Sequence, residues 1–331
     1  MRVLVIGGTL FIGRLLVKEL LEAGHEVTVL HRKPSHDLGR KVKGIQADRN
    51  HGKAMEKALA GKQFDGVFDN VYDWQRGTTA DQVLSTIEAV AGKGLSRYVF
   101  MSSIAAYGDG LNHQEDDALA PDDHADPYVR NKAMTERLLF RLYHRHKLPV
   151  VTLRPPFVYG PGNPFYREAF FWDRLRDKRQ IIVPSEGLRL MQFVFVKDLV
   201  WAAVQTLELP AAVGQAFNIS DAKPVSQLDA LNALAEAAKK RPQIVSVPRD
   251  FLVRSGGHPM GPKLYFGEYL DLPPITQMVN KAKRVLKLEP TPFLEGLRET
   301  HRWWQRNAKF KKPDYSFEDE VLGKLTASVA R

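Results

Sequence analysis

The hydrophobic and polar positions at the start of the chain predict a strand, a helix and a second strand in close succession. Arg2–Ile6 is a short, mainly apolar run of the kind found in strands that are buried on both faces. Apolar residues then recur at helical spacing over residues 15–21, and Gly24 ends this pattern. A second apolar run follows at residues 26–30. This order predicts a β–α–β unit.

The alternation of strand and helix patterns continues along the chain. Further strands are predicted at residues 43–47, 66–71 and Arg97–Met101, and a helix at residues 80–91. Regular alternation of this kind is typical of an α/β fold, in which a doubly wound parallel sheet carries helices on both faces. Ligands bind such sheets beyond the carboxyl ends of the strands. We therefore expect the functional residues to follow the strands directly.

A glycine-rich turn joins the first predicted strand to the first helix. Gly7 and Gly8 allow a sharp bend and a close approach of the backbone to a ligand, and Gly13 allows the helix to pack tightly on the strand. The free N–H groups and the positive dipole end of the helix favour a pyrophosphate. The turn therefore predicts a dinucleotide site. Leu10 stands where the usual spacing has its middle glycine, and we expect it to narrow the space above the pyrophosphate.

Two domains are expected from the length of 331 residues and from the order of these patterns. Residues 1–161 are predicted to form a Rossmann-type dinucleotide-binding domain, to which residues 191–222 return. Residues 162–190 and 223–331 are predicted to form a smaller C-terminal α/β domain that binds the substrate.

The end of the second predicted strand bears on the choice of cofactor. An NAD site usually has an Asp or Glu there, which accepts hydrogen bonds from the ribose hydroxyls. This chain has His31, Arg32 and Lys33 instead. Arg32 can hold a 2′-phosphate by a bidentate contact, so we expect NADP, with NAD as the alternative if both cations are merely solvated loop residues. Asp48, after the next predicted strand, is placed to meet the adenine amino group.

Candidate catalytic residues follow the predicted strand Arg97–Met101. Ser103 lies two residues beyond this strand, and Tyr128 and Lys132 occur later in the segment PYVRNK. Residues four apart share one face of a helix. A phenol has an ordinary pKa of about 10, and a nearby ammonium lowers this pKa, so Tyr128 can act as general acid or base. Lys132 is also expected to reach the nicotinamide ribose, and Ser103 to polarise the substrate oxygen.

Several segments support this interpretation and occur in a consistent order along the chain: VFMSSIAAYG, PYVRNKAMTE, LRPPFVYGPGNP, FVFVKDLVWA, AFNISD and KAKRVLKLEPTPFLEGLRET. Together they resemble the extended short-chain dehydrogenases, the NAD-dependent epimerase/dehydratase family. The resemblance implies that Ser103, Tyr128 and Lys132 are the catalytic residues. It also places Phe11 and Ile12 at the pyrophosphate. The predicted cofactor-binding residues are Gly7, Thr9, Leu10, Phe11, Ile12, Gly13, His31, Arg32, Asp48, Arg49, Asn70, Tyr128, Lys132 and Pro155.

The sequence indicates the substrate less closely than it indicates the fold and the reaction class. Many nucleotide-sugar members of the family have an Asn where this chain has Phe157, and an Arg-Asp pair where it has Met191 and Gln192. The chain looks more like the branch that includes chloroplast stem-loop RNA-binding proteins and bacterial reductases or epimerases. We therefore predict an NAD(P)-dependent oxidoreductase or epimerase that acts on a hydroxyl or keto group of a small, anionic substrate, nucleotide sugars included. The alternative is an RNA-binding or regulatory protein on the same fold.

Composition limits the remaining possibilities. The formal net charge of +10 is spread over the sequence and interrupted by acidic residues, which is more typical of a solvated surface than of a nucleic-acid site. The sequence contains no Cys, which excludes disulfides and thiolate metal sites, and we expect no metal. Neither a leader segment nor a membrane-spanning run is recognisable, so a cytoplasmic protein without a membrane partner is expected. The resemblance adds the expectation of a homodimer.

Overall fold

The computed structural model describes residues 1–92, 94–307 and 313–329. Residues 308–312, 330 and 331 of the predicted second domain lie outside the described residues. The strands are β1 (Arg2–Ile6), β2 (Glu26–His31), β3 (Lys43–Gln46), β4 (Gly66–Asp69), β5 (Arg97–Met101), β6 (Gly110–His113), β7 (Val150–Arg154), β8 (Phe157–Tyr159), β9 (Gln180–Pro184), β10 (Leu190–Met191), β11 (Phe193–Phe195), β12 (Gln215–Asn218), β13 (Val225–Ser226), β14 (Gln243–Val247) and β15 (Ile275–Gln277).

Helices alternate with these strands. They are α1 (Phe11–Glu22), α2 (Gly52–Leu59), α3 (Ala80–Val90), α4 (Pro127–His146), α5 (Glu168–Arg176), α6 (Val196–Glu208), α7 (Gln227–Ala237), α8 (Arg249–Arg254), α9 (Asn280–Val285), α10 (Phe293–Asn307) and α11 (Ser316–Val329). Short 3-10 turns lie at Ile104–Tyr107 and Pro210–Ala212. No helix among the described residues is long and apolar enough to cross a membrane.

The central sheet confirms the predicted fold class. Within the described part of the chain it has seven strands in the order β12-β7-β5-β4-β1-β2-β3, and every neighbouring pair is parallel. The chain starts in the middle at β1, runs outward to β3, and then crosses to β4 and continues toward the other edge. The reversal between β1 and β4 is the switch point at which Rossmann-type sheets bind dinucleotides.

Burial explains why the central strands of the sheet are mainly apolar. Residues Val3 to Ile6 of β1 are fully buried, and so are Leu16 and Leu20 on the face of α1 that meets the sheet. Each such side chain stabilises the fold by roughly 1.5–3 kcal/mol relative to an exposed one. The central strands β1, β4, β5 and β7 are covered on both faces, so their apolar runs are continuous rather than alternating, whereas the edge strand β3 is polar and largely exposed.

Contacts divide the chain into two compact units. The first unit comprises Met1–Val158, Val194–Ala222 and Ile275–Pro290, and it contains the seven-stranded sheet. The second unit comprises Tyr159–Phe193, Lys223–Pro274 and Thr291–Arg331.

The segment Ile275–Pro290 corrects the predicted domain boundaries, which assigned it to the substrate domain. In this segment β15 pairs with β6, and the Gln277 side chain donates a hydrogen bond of 2.8 Å to the carbonyl of Arg154. The Lys281 ammonium lies 5.3 Å from the centre of the Phe217 ring. A strand of only three residues leaves little periodicity, so its place in the first unit depends on contacts with residues distant in sequence.

The second unit has its own core. Its strands β9 and β14 pair in parallel, and β10 and β13 pair antiparallel. Trp172 on α5 is 2 % exposed, donates from Nε1 to the carbonyl of Leu234 on α7, and contacts the rings of His301 and Trp304 on α10. Buried aromatic side chains therefore hold the helices of this unit together.

Candidate active site

Tyr128 and Lys132 lie in the first two turns of α4, and local chemistry determines where this helix begins. The Asp126 carboxylate accepts a hydrogen bond of 2.8 Å from the Tyr128 N–H, and Pro127 occupies the first helical position. The Lys132 ammonium lies 5.7 Å from the centre of the Tyr128 ring. This distance allows the ammonium to favour the ionised form of the phenol, as the spacing of the two residues predicts.

Lys132 is held in the interior at the carboxyl end of β5. Its side chain is 5 % exposed, and Nζ donates a hydrogen bond of 2.7 Å to the carbonyl of Met101. The ammonium also lies 4.7 Å from the centre of the Phe100 ring. Burial lowers the pKa of Lys132 to about 8, although the carboxylates of Asp69 and Glu136 oppose this shift. The amine therefore changes its charge much closer to neutral pH than an exposed lysine does.

Ser103 lies at the same end of β5. It is 8 % exposed, and its Oγ accepts a hydrogen bond of 3.1 Å from the Ala105 N–H, which caps the 3-10 turn Ile104–Tyr107. An acceptor role in the cap leaves the hydroxyl proton for another oxygen. The structure thus brings the three predicted catalytic residues together near the carboxyl end of β5. Ser103 follows this strand in the sequence, Lys132 is hydrogen-bonded to Met101 at its end, and Tyr128 lies close to Lys132.

A buried ion pair that sequence analysis missed fixes α4 on the sheet. Glu136 is fully buried and accepts hydrogen bonds from Arg154 at the end of β7 (2.7 Å) and from the hydroxyls of Thr152 (3.0 Å) and Ser102 (2.5 Å). Arg154 also donates to the Tyr107 hydroxyl at 2.7 Å. The available signal was an acidic residue one helical turn after Lys132, on the same face of α4.

Two aromatic residues on the loop after β4 were also missed. The ring of Tyr72 lies edge-on to that of Tyr128 with 4.7 Å between centres, and Trp74 stacks on Tyr128 at 4.9 Å with 26° between the planes. Asn131 on α4 donates a hydrogen bond of 3.3 Å to the Tyr72 hydroxyl, and burial raises the pKa of Tyr72. Their position directly after a strand of a parallel sheet was the signal that could have found them.

The turn between β1 and α1 has the features of a pyrophosphate site. The residue before α1, Leu10, gives no side-chain cap to the helix, and the first turn of α1 contains no acidic residue. Gly7 has a φ of +85°, and a Cβ there would lie 2.4 Å from Val71 Cγ2, whereas a Cβ on Gly13 would lie 1.9 Å from the Gly7 carbonyl oxygen. Uncapped N–H groups beside a turn that admits only glycine fit the phosphates of a dinucleotide. Leu10 is 62 % exposed, so most of its bulk lies outside the turn.

Two arginines and two carboxylates meet near the end of β2. Arg32 is exposed, and its Nη1 lies 3.3 Å from Asp73 Oδ2. Arg76 bridges Asp48 (2.8 Å) and Asp73 (2.7 Å). Although burial opposes it, hydrogen bonds from the Asn50 N–H and from Arg76 lower the pKa of Asp48. The carboxylate predicted to meet the adenine is therefore bound to Arg76 here.

The neighbouring position, Arg49, has a buried side chain. Its side chain is 3 % exposed and forms a buried ion pair with Asp69, which also accepts a hydrogen bond of 2.7 Å from the Tyr98 hydroxyl. Its Nη1 donates to the Thr86 hydroxyl at 2.8 Å. This network joins β4, β5 and α3 inside the unit, so the guanidinium is engaged in packing, and a cofactor contact at Arg49 stays a prediction for its backbone.

The other predicted cofactor contacts lie at strand ends. The N–H of Asn70, directly after β4, donates a hydrogen bond of 3.1 Å to the carbonyl of Ile6 at the end of β1. His31 ends β2, where burial lowers its pKa. Pro155 follows β7 and accepts a hydrogen bond of 3.0 Å from the Ile104 N–H. Among the residues that the structure describes, no group of three or more metal-binding side chains is found.

Comparison with known proteins identifies the family. A model described as the NAD dependent epimerase/dehydratase family matches residues 3–220. The chain belongs to this family. It is 30 % identical to the chloroplast stem-loop binding protein of 41 kDa b of Arabidopsis thaliana, over 98 % of this chain and 84 % of that protein. It is also 30 % identical to a UDP-glucose 4-epimerase of Vibrio cholerae, over 47 % of each chain. The predicted resemblance and enzyme class are confirmed.

Solved structures agree on the fold. The UDP-glucuronic acid 4-epimerase of Bacillus cereus, in complex with UDP-glucuronic acid and NAD, has a TM-score of 0.73 at 20 % identity and covers 92 % of this chain and 99 % of its own. The dTDP-glucose 4,6-dehydratase of Bacillus anthracis, in complex with NAD, has a TM-score of 0.75 at 19 % identity and covers 95 % of this chain and 99 % of its own. At these identities the likeness concerns the fold.

The burial of Lys132 predicts a pH dependence of stability that Lys132→Met removes. Its pKa is about 8 in the folded protein, below the ordinary 10.5, so between these values the unfolded chain binds more protons than the folded chain. The free energy of unfolding contributed by this group therefore rises with pH over that interval, by at most about 1.4 kcal/mol per pH unit. Urea unfolding at steps of pH measures the slope.

A matched control for this measurement is Lys57→Met, an exposed lysine on α2. The control should keep the slope of the unaltered protein, because its ammonium is solvated in both states. Equal slopes for Lys132→Met and the unaltered protein would contradict a perturbed Lys132.

Proposed function

We propose that the protein is an NADP-dependent oxidoreductase or epimerase that acts on a hydroxyl or keto group of a small, anionic substrate. The observation that carries the proposal is the grouping of Ser103, Tyr128 and Lys132 at the carboxyl end of β5, in the same unit as the glycine turn. The family of the chain supports the reaction class. A nucleotide sugar is the substrate type named for several similar proteins, and the net charge of +10 favours an anion.

Each residue has a defined task in this proposal. Ser103 donates a hydrogen bond to the substrate oxygen and orients it. Tyr128 removes the hydroxyl proton when the substrate is oxidised and returns it on reduction, and the Lys132 ammonium stabilises the phenolate between these steps. A bound nicotinamide supplies hydride acceptance and donation. If the cofactor is regenerated in place, the net reaction is epimerisation or dehydration, and if it exchanges, the net reaction is a redox step.

The choice of NADP over NAD rests on charge at the end of β2. No carboxylate ends this strand, whereas the guanidinium of Arg32 is exposed there. The similar solved structures carry NAD, which stays the alternative. The turn at Gly7 and Gly13 accepts the pyrophosphate of either cofactor.

A second candidate function is RNA binding, which a relative's name and a basic groove favour. The relative from Arabidopsis thaliana is named a stem-loop binding protein. In the second unit, α7 and α10 border a groove of about 960 Å³. The basic residues that line it are Lys239, Lys240, Arg241, Arg298 and Arg302. Only Arg298 among them has an ion-pair partner within the described residues, namely Glu236 at 3.0 Å. A concave basic surface attracts phosphates.

Salt dependence tests this second candidate. Replacing Lys239, Lys240 and Arg241 together by Ala should weaken binding of a stem-loop RNA and make its dependence on salt less steep, by roughly 0.7–0.9 in the logarithmic slope per lost phosphate contact. The control replaces Arg141, Arg145 and Lys147 at the end of α4, which removes the same charge. Equal RNA affinities and slopes for the two triple variants would rule out the groove as an RNA site.

The catalytic role of Tyr128 predicts that Tyr128→Phe abolishes turnover while the protein still folds and binds its cofactor. The phenol proton is the feature of Tyr128 that the mechanism requires, and acid–base catalysis of this kind contributes roughly 10²–10⁴-fold to the rate. Turnover is followed by nicotinamide absorbance or by product, and cofactor binding by titration. A variant that keeps more than about a tenth of the rate would remove Tyr128 as the acid–base group.

The cofactor assignment predicts that Arg32→Ala weakens NADP binding by roughly 1.5–3 kcal/mol. We expect a value at the lower end of this range, because the guanidinium is solvated and also contacts Asp73. NAD binding should change little, because NAD lacks the 2′-phosphate. Calorimetric titration of both cofactors measures the difference, with Arg145→Ala in the last turn of α4 as the control of equal charge. Tighter binding of NAD than of NADP by the unaltered protein would overturn the assignment.

A further inference from the structure

Trp74 combines exposure with a position against the candidate acid–base residue. It is 56 % exposed, although its indole stacks on the Tyr128 ring at 4.9 Å with 26° between the planes. Tyr72 meets the same phenol edge-on. We call Tyr72, Trp74 and Tyr128 the aromatic wall. A single exposed apolar side chain is common on protein surfaces, but here three aromatic rings, one of them the candidate acid–base residue, contact one another and leave the indole exposed.

The loop that carries Trp74 is held by its own hydrogen bonds. The Asp73 carboxylate accepts bonds of 3.0 Å from the N–H groups of Gln75 and Arg76, and the Asp73 N–H donates to the Thr78 hydroxyl at 3.0 Å. Asn50 donates to the Gly77 carbonyl at 2.6 Å. The indole is therefore presented by an ordered turn, and its exposed position costs no further ordering when a ligand arrives.

We propose that Trp74 is a substrate-contacting residue that selects a cyclic substrate, whose ring lies on the aromatic wall with its reacting oxygen at Tyr128. The inference rests on the proposed function, because it takes Tyr128 as the group that meets this oxygen. The phenol covers one face of the indole, and the exposed remainder of Trp74 presents an apolar surface beside Tyr128. A six-membered ring matches such a surface with few rotatable bonds to immobilise, whereas an open chain loses more conformational entropy on the same surface.

The test compares two ligands of which one carries a sugar ring on the terminal phosphate. Calorimetry on the NADP-loaded protein gives the dissociation constants of UDP and of UDP-glucose, and the change of their ratio between protein variants isolates the contact with the ring, because the difference in phosphate charge is common to all variants. In Trp74→Ala this ratio should fall by roughly two- to tenfold, the range expected for one aromatic contact. Trp74→Phe should retain most of the ratio. The dissociation constants of UDP and NADP should stay unchanged in both variants.

The control is Trp201→Ala, which removes another exposed indole of the same unit, on α6, 39 % exposed. It should leave the ratio unchanged. An unchanged ratio in Trp74→Ala would overturn the role of Trp74 while Tyr128→Phe still reports on the proposed function. NADP binding without binding of UDP-glucose tighter than UDP would overturn the selection of a sugar ring. Absence of binding of both NADP and NAD by the unaltered protein would overturn the proposed function and this inference together.

Discussion

The position of the candidate site depends on the buried ion pair between Glu136 and Arg154. Both side chains are at most 3 % exposed, and the carboxylate holds the pKa of Arg154 above its ordinary value although burial opposes the charge. Removing one partner of such a pair leaves an uncompensated buried charge, which costs about 3–5 kcal/mol. The pair ties the middle of α4 to the end of β7. It therefore determines where Lys132 and Tyr128, which lie one and two turns earlier on α4, are placed relative to the sheet.

A second buried ion pair, between Arg49 and Asp69, lies on the other side of β5. Asp69 ends β4 and binds Arg49, while Arg154 ends β7, and β5 lies between these two strands. Lys132 bonds to the end of β5 and thus lies between two neutralised pairs. Their carboxylates raise its pKa and the Arg49 guanidinium lowers it, so burial decides the outcome. A buried lysine whose pKa is lowered toward neutral, beside a phenol, is a combination that marks candidate sites of proton transfer.

The fold could be predicted, and the candidate catalytic residues proposed, because their signals are local. Strand and helix periodicity identifies the sheet, and the spacing of Tyr128 and Lys132 identifies a helix face within four residues. Trp74 could not be found in this way, because its contact with Tyr128 joins residues 54 positions apart along the chain. The direction of the Arg49 side chain could not be predicted either, because it enters the interior while that of the adjacent Asp48 stays partly exposed. Beyond the end of a strand, two residues that are adjacent in sequence can point their side chains in different directions.

β2 itself ends without a carboxylate, although the carboxylates of Asp48 and Asp73 lie near its end. The ion pairs of these two residues explain how both features are compatible in one site. The Asp73 side chain is only 8 % exposed and is satisfied by Arg76 and by two N–H groups, so it does not depend on Arg32. Arg32, 68 % exposed on its side chain, contributes a longer contact of 3.3 Å to the same carboxylate. An exposed ion pair of this length contributes little, about 0–1 kcal/mol. A 2′-phosphate offers Arg32 a bidentate, charge-assisted partner in exchange for a weak one, while Arg76 keeps both carboxylates neutralised. The loop after β4 therefore contributes to both parts of the candidate site: its Arg76 binds the two carboxylates near the end of β2, and its Trp74 lies against the residue proposed to exchange protons with the substrate.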